Sequence, residues 1–236
     1  LGGIIQCYDI SIMCGRFTVA EPDSTQFSFR FGFSYSDFEN FDWKPNYNVA
    51  PSHNILVVTE DRKRHAEMMR WGLVPFWAKD IKVGFKMINA RSETIQTSGA
   101  FKHALKRRRC LIVADSFYEW KKDGKAKTPM RIGLKDWELF SFAGLWESWV
   151  DKESGKDLHS CTIITCSANE LVSPIHDRMP VILPREAEAS WLAPTDDIES
   201  LQSLLVPYNA DAMATYVVSD LVNSVKNNSS ELVVAA

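Results

Sequence analysis

Four short segments of this 236-residue chain concentrate side chains able to do chemistry. The first is Met13-Cys14-Gly15-Arg16. If translation starts at Met13, removal of that Met, favoured before a small residue, exposes a 1,2-aminothiol at Cys14. An aldehyde condenses with such an α-amine to an imine, and the adjacent thiol then closes a five-membered thiazolidine ring, which an internal cysteine cannot do. With reference pKa values of about 7.7–8.0 for the amine and about 8.5 for the thiol, an appreciable minority of each is nucleophilic at neutral pH. The bland reading of the same residue is a small buried hydrophobe. The second segment, Asn89-Ala90-Arg91-Ser92-Glu93, offers an amide to orient a reacting group and a planar guanidinium suited to phosphate. A capped helix start fits it equally. The third, Asp115-Ser116-Phe117-Tyr118-Glu119-Trp120, ends an apolar run with a carboxylate between two aromatics. Desolvation there raises a Glu pKa and suits it to proton transfer near neutrality, unless Glu119 faces solvent from an alternating strand. In the fourth, His176-Asp177-Arg178-Met179-Pro180, the His is either a general acid or base with a phosphate ligand beside it, or a structural His next to an acid.

No metal or cofactor is expected. His53, His65, His103, His159 and His176 show no His-x-x-x-His pairing, the cysteines lack zinc spacing, and no phosphate-cradling glycine loop is present. Cys7, Cys14, Cys110, Cys161 and Cys166 are odd in number without a Cys-x-x-Cys pair, so a reducing, cytoplasmic setting is expected over a disulfide framework. No run approaches the ~18 apolar residues of a membrane helix. Leu1 to Ile12 lacks the basic flank and small-residue cleavage site of a signal peptide.

A 45% hydrophobic composition with 13 Phe, 8 Trp and 6 Tyr supports a packed globular core and excludes a disordered or fibrous chain. The net charge of −3 argues at first against a nucleic-acid partner, but the charge is uneven. Residues 61–135 hold 19 Lys plus Arg against 7 Asp plus Glu, a net +12, and the remainder carries −15. Such asymmetry suggests a polyanion-binding face, here one expected to converge near Cys14. The alternative is a solvated hairpin tip at Lys121 to Lys127 and an exposed helix end at Lys106 to Arg109.

The elements that must position these groups are mostly strands. Asn54 to Thr59, Cys110 to Trp120, Met130 to Leu134, Leu139 to Leu145 and Cys161 to Cys166 are β-branched or apolar runs, and Asp123-Gly124 marks a hairpin turn. Helices are expected at Ala100 to Arg109, Ser167 to Leu171 behind a Ser cap, Arg185 to Leu192 and Ile198 to Leu205. The Phe alternation at 27, 29, 31 and 33 has period two and reads literally as a strand, although Phe27, Phe31 and Phe38 also suit a helix face. Lys226 to Ala236 is either a tail or an edge strand. With no repeat or linker, the expectation is a single compact α+β domain, mainly antiparallel or mixed sheet of barrel-like form with a few peripheral helices.

In this order the four segments resemble the SOS-response-associated peptidase (SRAP) family of abasic-site processing proteins. The likeness also runs through Tyr47-Asn48-Val49-Ala50-Pro51, Trp71-Gly72-Leu73-Val74-Pro75, Phe142-Ala143-Gly144-Leu145-Trp146, Ile163-Ile164-Thr165 and Val217-Val218-Ser219, covering nearly everything after Ile12. The resemblance implies a domain over 13–236 that binds single-stranded DNA and links covalently to the aldehyde of an abasic site, with lyase and self-cleaving peptidase activity also implied. It makes Cys14 the nucleophile, Asn89 an orienting group, Glu119 a proton shuttle and His176 an acid or base on the sugar. Arg16, Arg91 and Arg178 become phosphate ligands, Trp77 with Pro51 a wedge beside the lesion, and Asn48 and Thr165 further DNA-side contacts. The protein is then intracellular, DNA-associated and without a membrane partner, and one copy suffices for the chemistry. Two departures stand out. Val113-Ala114-Asp115-Ser116 replaces the family's frequent Pro-Ala-Asp-Gly, and residues 1–12 precede Met13, which leaves Cys14 with a peptide nitrogen. Those residues are expected to be an upstream extension from a start placed too far back, or a segment removed by self-cleavage. A thiol peptidase acting on other proteins and a non-covalent single-strand binding module are the alternatives.

Overall fold

Two apolar runs are buried along almost their whole length: β3 (Asn54–Glu60) and β6 (Arg109–Ala114). Strands without a solvent face must be covered on both sides, and a closed barrel packed against a second sheet does this. The computed structural model describes residues 14–38 and 42–236, so the expected upstream extension lies outside the described residues. In the barrel, β3 and β6 join β4 (Arg64–Trp71), β9 (Phe140–Val150) and β10 (Asp157–Ser167) in the order β10-β4-β3-β6-β9, and β9 returns to β10. Closure leaves those five strands no edge between them. β5 (Asn89–Arg91) and β11 (Arg178–Pro180) extend β10 beyond the ring, and β12 (Ile182–Leu183) pairs with β9.

The second sheet contains β1 (Phe17–Val19), β2 (Asn46–Val49), β7 (Ser116–Asp123), β8 (Ala126–Leu134) and β13 (Met213–Val217) in the order β13-β8-β7-β1-β2. All strand pairs are antiparallel except β10 with β4 and β10 with β5. Among the described residues, four short α-helices lie around them: α1 (Ser24–Phe31), α2 (Lys102–Arg107), α3 (Glu188–Leu192) and α4 (Ile198–Ser203). This is the α+β, barrel-containing single domain that the sequence suggests. Phe17 ties the two sheets, with its ring edge-on to Trp71 at 5.2 Å and to Phe142 at 5.8 Å.

Several local expectations are corrected. The Phe-rich stretch is helix α1, because Asp23 caps its N-terminus and Phe27 and Phe31, one turn apart, take the core while Phe29 is 82% exposed. The run from Cys110 to Trp120 is two strands in different sheets, broken at Asp115. Its backbone N–H donates to the Thr18 carbonyl, and its carboxylate accepts from the Thr18 hydroxyl, the Ala20 N–H and Arg131. Ser167 ends β10 and starts no helix; the following residues form turns, with Asn169 Oδ1 accepting from Val172 N–H at 3.0 Å. Asn89-Ala90-Arg91 is a strand, so the capped-helix reading of that segment also falls. The C-terminal residues are a pinned tail: Ala235 bridges Val218, and the Leu232 carbonyl accepts from the Tyr118 hydroxyl at 3.2 Å.

Asp115 and Arg131 are both buried and satisfy each other, so removing one carboxylate strands a buried guanidinium. Asp115→Ala is expected to lower unfolding free energy by about 3–5 kcal/mol, measured by urea denaturation.

Candidate active site and nucleic-acid interface

Cys14 sits immediately before β1, and β1 pairs with β7 through Phe17 opposite Phe117. That pairing carries the start of the described chain onto the strand holding Glu119. The backbone of Cys14 lies in the left-handed region, φ 43°, which few non-glycine residues occupy. Its N–H donates to Glu119 Oε1 at 2.6 Å. Glu119 is 3% exposed, so the solvent-facing reading of this residue is overturned. Burial pushes its carboxyl above the usual carboxylate range, against the opposing pull of His176 and of the Cys14 N–H.

The Cys14 thiol is itself 2% exposed. Burial raises its pKa most, followed by the neighbouring Glu119 charge, with Arg178 acting in the opposite direction. Cys14 is therefore both the small buried residue of the bland reading and the partner of a buried carboxylate. His176 Nδ1 lies 3.1 Å from the backbone N–H of Arg178. Asp177 Oδ1 lies 2.9 Å from the same nitrogen.

Around this centre the sheet register sets the other residues. On β10, Thr165 stands between Arg91 of β5 and Pro180 of β11, and Asn89 stands opposite Ile163. Arg91 is exposed. Arg178 is clamped by both Glu93 oxygens and donates to the Thr165 carbonyl at 2.8 Å. Thr165 is fully buried, so it reaches any ligand only through Arg178. Asn48 is likewise buried: its amide donates to the carbonyls of Val222, Ser224 and Asn227, and its oxygen accepts from Arg16 at 2.7 Å. Arg16 also holds the Val222 carbonyl at 2.8 Å.

Pro51 lies in the turn between β2 and β3, which is tied to the end of β4 by Ser52 N–H on the Trp71 carbonyl at 2.8 Å. The loop leaving β4 carries Trp77, 54% exposed, so the two residues sit on adjoining loops. Gly72 and Gly84 close the base of that loop. Gly72 has φ 118°, and a Cβ on it would meet the Gly84 carbonyl oxygen at 2.7 Å. Two aromatics that the sequence motifs leave out, Phe76 and Phe85, stand 58% and 52% exposed, with the Arg70 guanidinium 5.4 Å from the Phe85 ring. Their signal was present as aromatics interleaved with Lys79, Lys82 and Lys86.

The expected convergence of the basic segment is corrected. Cys166, whose charge acts on Cys14, lies five residues beyond Cys161, which pairs with Trp71 at the end of β4, whereas the hairpin 61–63 precedes the start of β4. Asp61 of that hairpin and Lys106, Arg107 and Arg109 line one cleft together with Glu60 and Trp146. There Arg64 pairs with Glu60, Arg107 with Asp196 and Arg108 with Glu147. Arg109 is buried and donates to the backbone carbonyls of Trp191, Leu105, Lys106 and Ala193. Arg64, Arg107, Arg108 and Arg109 are therefore balanced or structural.

The family model described as SOS response associated peptidase (SRAP) matches residues 13–225. The chain belongs to the SRAP family. Abasic site processing protein YoqW of Bacillus subtilis is 53% identical over 225 residues, covering 94% of this chain and 99% of its own. Abasic site processing protein HMCES of Gallus gallus is 33% identical, covering 81% of this chain and 66% of its own. A crystal structure of a protein from Bacteroides thetaiotaomicron superposes with a TM-score of 0.85 at 26% identity, covering 94% of this chain and all of that one. Among the described residues of this SRAP chain, no group of three or more His, Cys, Asp or Glu is arranged to hold a metal ion, and no helix is long and apolar enough to cross a membrane.

A raised folded-state pKa at Glu119 means that the folded protein holds a proton there which the unfolded chain releases. The associated stability is present below the unfolded value, about 4.3, and is lost as pH rises through the raised folded value. Glu119→Gln keeps an acceptor for the Cys14 N–H and carries no charge. It is expected to raise Tm over wild type at pH 8 and to match it near pH 4, measured by thermal melts across pH.

Proposed function

We propose that this protein processes abasic sites in single-stranded DNA by linking Cys14 covalently to the ring-opened sugar. The single observation that carries the reading is the Glu119 carboxylate on the backbone nitrogen of Cys14. When residues 1–13 are absent, that nitrogen is the α-amine, the atom that must attack the aldehyde.

The chemistry balances without a cofactor. The amine adds to the sugar C1′ aldehyde to give a carbinolamine. Glu119 takes a proton from nitrogen and returns one to the hydroxyl, which leaves as water and yields the imine. The thiol then adds to the imine carbon, its proton passes to nitrogen, and the thiazolidine closes. Burial holds the thiol pKa above its ordinary value, so the thiol enters after the imine has formed. His176 serves as acid on the sugar ring oxygen during opening and as base in reversal. Asn89 orients the nucleophile and the sugar.

Arg91 takes backbone phosphate directly, while Arg16 and Arg178 offer guanidinium groups held in place by Asn48 and by Thr165 with Glu93. Asn48 and Thr165 are thus positioning residues. The exposed Phe76, Trp77 and Phe85 offer rings for bases flanking the lesion, with Pro51 on the adjoining loop. Lyase cleavage is open to the same imine, and removal of residues before Cys14 is a precondition for all of it.

Incubating protein whose intact mass shows Cys14 at its N-terminus with an oligonucleotide containing one abasic site is expected to give a denaturation-resistant band. The band is expected to disappear in Cys14→Ala. A correctly processed N-terminus that gives no adduct overturns the reading, as does an adduct that survives Cys14→Ala.

A further inference from the structure

The hairpin joining β7 and β8 continues past the sheet that contains it. β1 follows β7 only as far as the Tyr118 N–H on the Arg16 carbonyl, and β13 follows β8 only to Val217 opposite Met130, with Val218 N–H on the Pro129 carbonyl. From Lys121 opposite Thr128 to Asp123 opposite Ala126, the two strands pair only with each other, and residues 121–127 are all exposed. Gly124, φ 57°, closes the turn. An isolated two-stranded ribbon has little stability of its own.

This one carries four lysines and one aspartate in seven residues, and among the described residues none of those lysines has an acidic partner. Lys122 stands directly across the ladder from Lys127, a like-charge pair that weakens the ribbon. Lysines on an edge are a common guard against strand-to-strand association, but that purpose is served without opposing one lysine to another. The ribbon also grows out of the active-site strand. Lys121 lies two residues beyond Glu119, on the same face of β7, and the ribbon reaches about 13 Å from Glu119 to Asp123 at roughly 3.3 Å per residue.

We propose that the ribbon is a phosphate-holding arm. Lys121, on the Glu119 face, and the Lys122–Lys127 pair, on the other face of the exposed ribbon, bind the backbone of the DNA strand flanking the nucleotide that reacts at Cys14, without reading its bases. A polyanion laid along it relieves the Lys122–Lys127 repulsion and supplies counter-charge that the protein lacks there. The inference rests on the proposed DNA reading.

The test is the salt dependence of binding to a short labelled single strand without an abasic site, so that no covalent step intervenes. The variant Lys121→Gln/Lys122→Gln/Lys127→Gln is expected to bind more weakly and to flatten the slope of log K against log salt by about 2, at roughly 0.7 for each phosphate no longer neutralised. Arg62→Gln/Lys63→Gln, which removes charge at the hairpin before β4, is expected to keep the wild-type slope. An unchanged slope in the ribbon variant, or an equal flattening in the distal one, overturns the arm. The ribbon variant is expected to melt no lower than wild type. Should it fail to fold, Lys127→Gln alone carries the test, with an expected flattening of about 0.7. Wild-type protein that neither binds the strand nor forms the adduct defeats the DNA reading itself. Wild-type protein that does both, with the variant slope unchanged, defeats only the arm.

Discussion

A carboxylate held out of water against the backbone nitrogen of Cys14 is the contact on which the rest of the site depends. Burying a carboxylate is unfavourable unless hydrogen bonds or opposite charge compensate, and here the compensation comes from the Cys14 N–H and from His176. The fold keeps this contact from relaxing. β1 brings Cys14 to β7, and the Asp115 network fastens the start of β7 to Thr18 and Ala20 on the Cys14 side. A group held in its less favourable environment by a rigid surround is characteristic of sites where stability is given up for chemistry.

The two sheets divide the work. The second sheet supplies Cys14 and Glu119, and the strands added to β10 of the barrel supply Asn89, Arg91 and Arg178, with His176 just ahead of β11. Neither set is complete alone, and the Phe17 contacts to Trp71 and Phe142 keep them in register. The surface that would meet DNA is likewise composite. Its arginines are pre-oriented by buried polar partners, whereas its aromatics stand exposed on a loop whose base is fixed by the Gly72–Gly84 approach.

The catalytic candidates were legible because their types are unusual in combination: a cysteine next to a Met, a carboxylate between aromatics, and a His-Asp-Arg run. Class and barrel-like form were legible too, from β-branched runs without alternation such as Asn54 to Thr59. What could not be read was tertiary. Nothing local distinguishes Asn48 or Thr165, buried beneath the arginines, from residues that touch a ligand. β4, Arg64–Trp71, escaped notice because its charged residues face outward on a barrel strand and mask the period. The helix over Ser24–Phe31 hid behind a literal period of two, which the Asp23 cap overrides. The regional charge was a better guide than the net charge, yet it misjudged location: most arginines of 106–109 are spent on carboxylates or carbonyls at a site away from Cys14.

The central claim is that Glu119 moves protons at the Cys14 nitrogen. Its most direct test is the single-turnover rate of adduct formation as a function of pH, for N-terminally processed wild type and Glu119→Gln. The account predicts a wild-type profile with an ionisation above the ordinary Glu range, and a Gln variant slower by about 10²–10⁴ that lacks it. Equal rates with the same profile in both proteins would contradict the account.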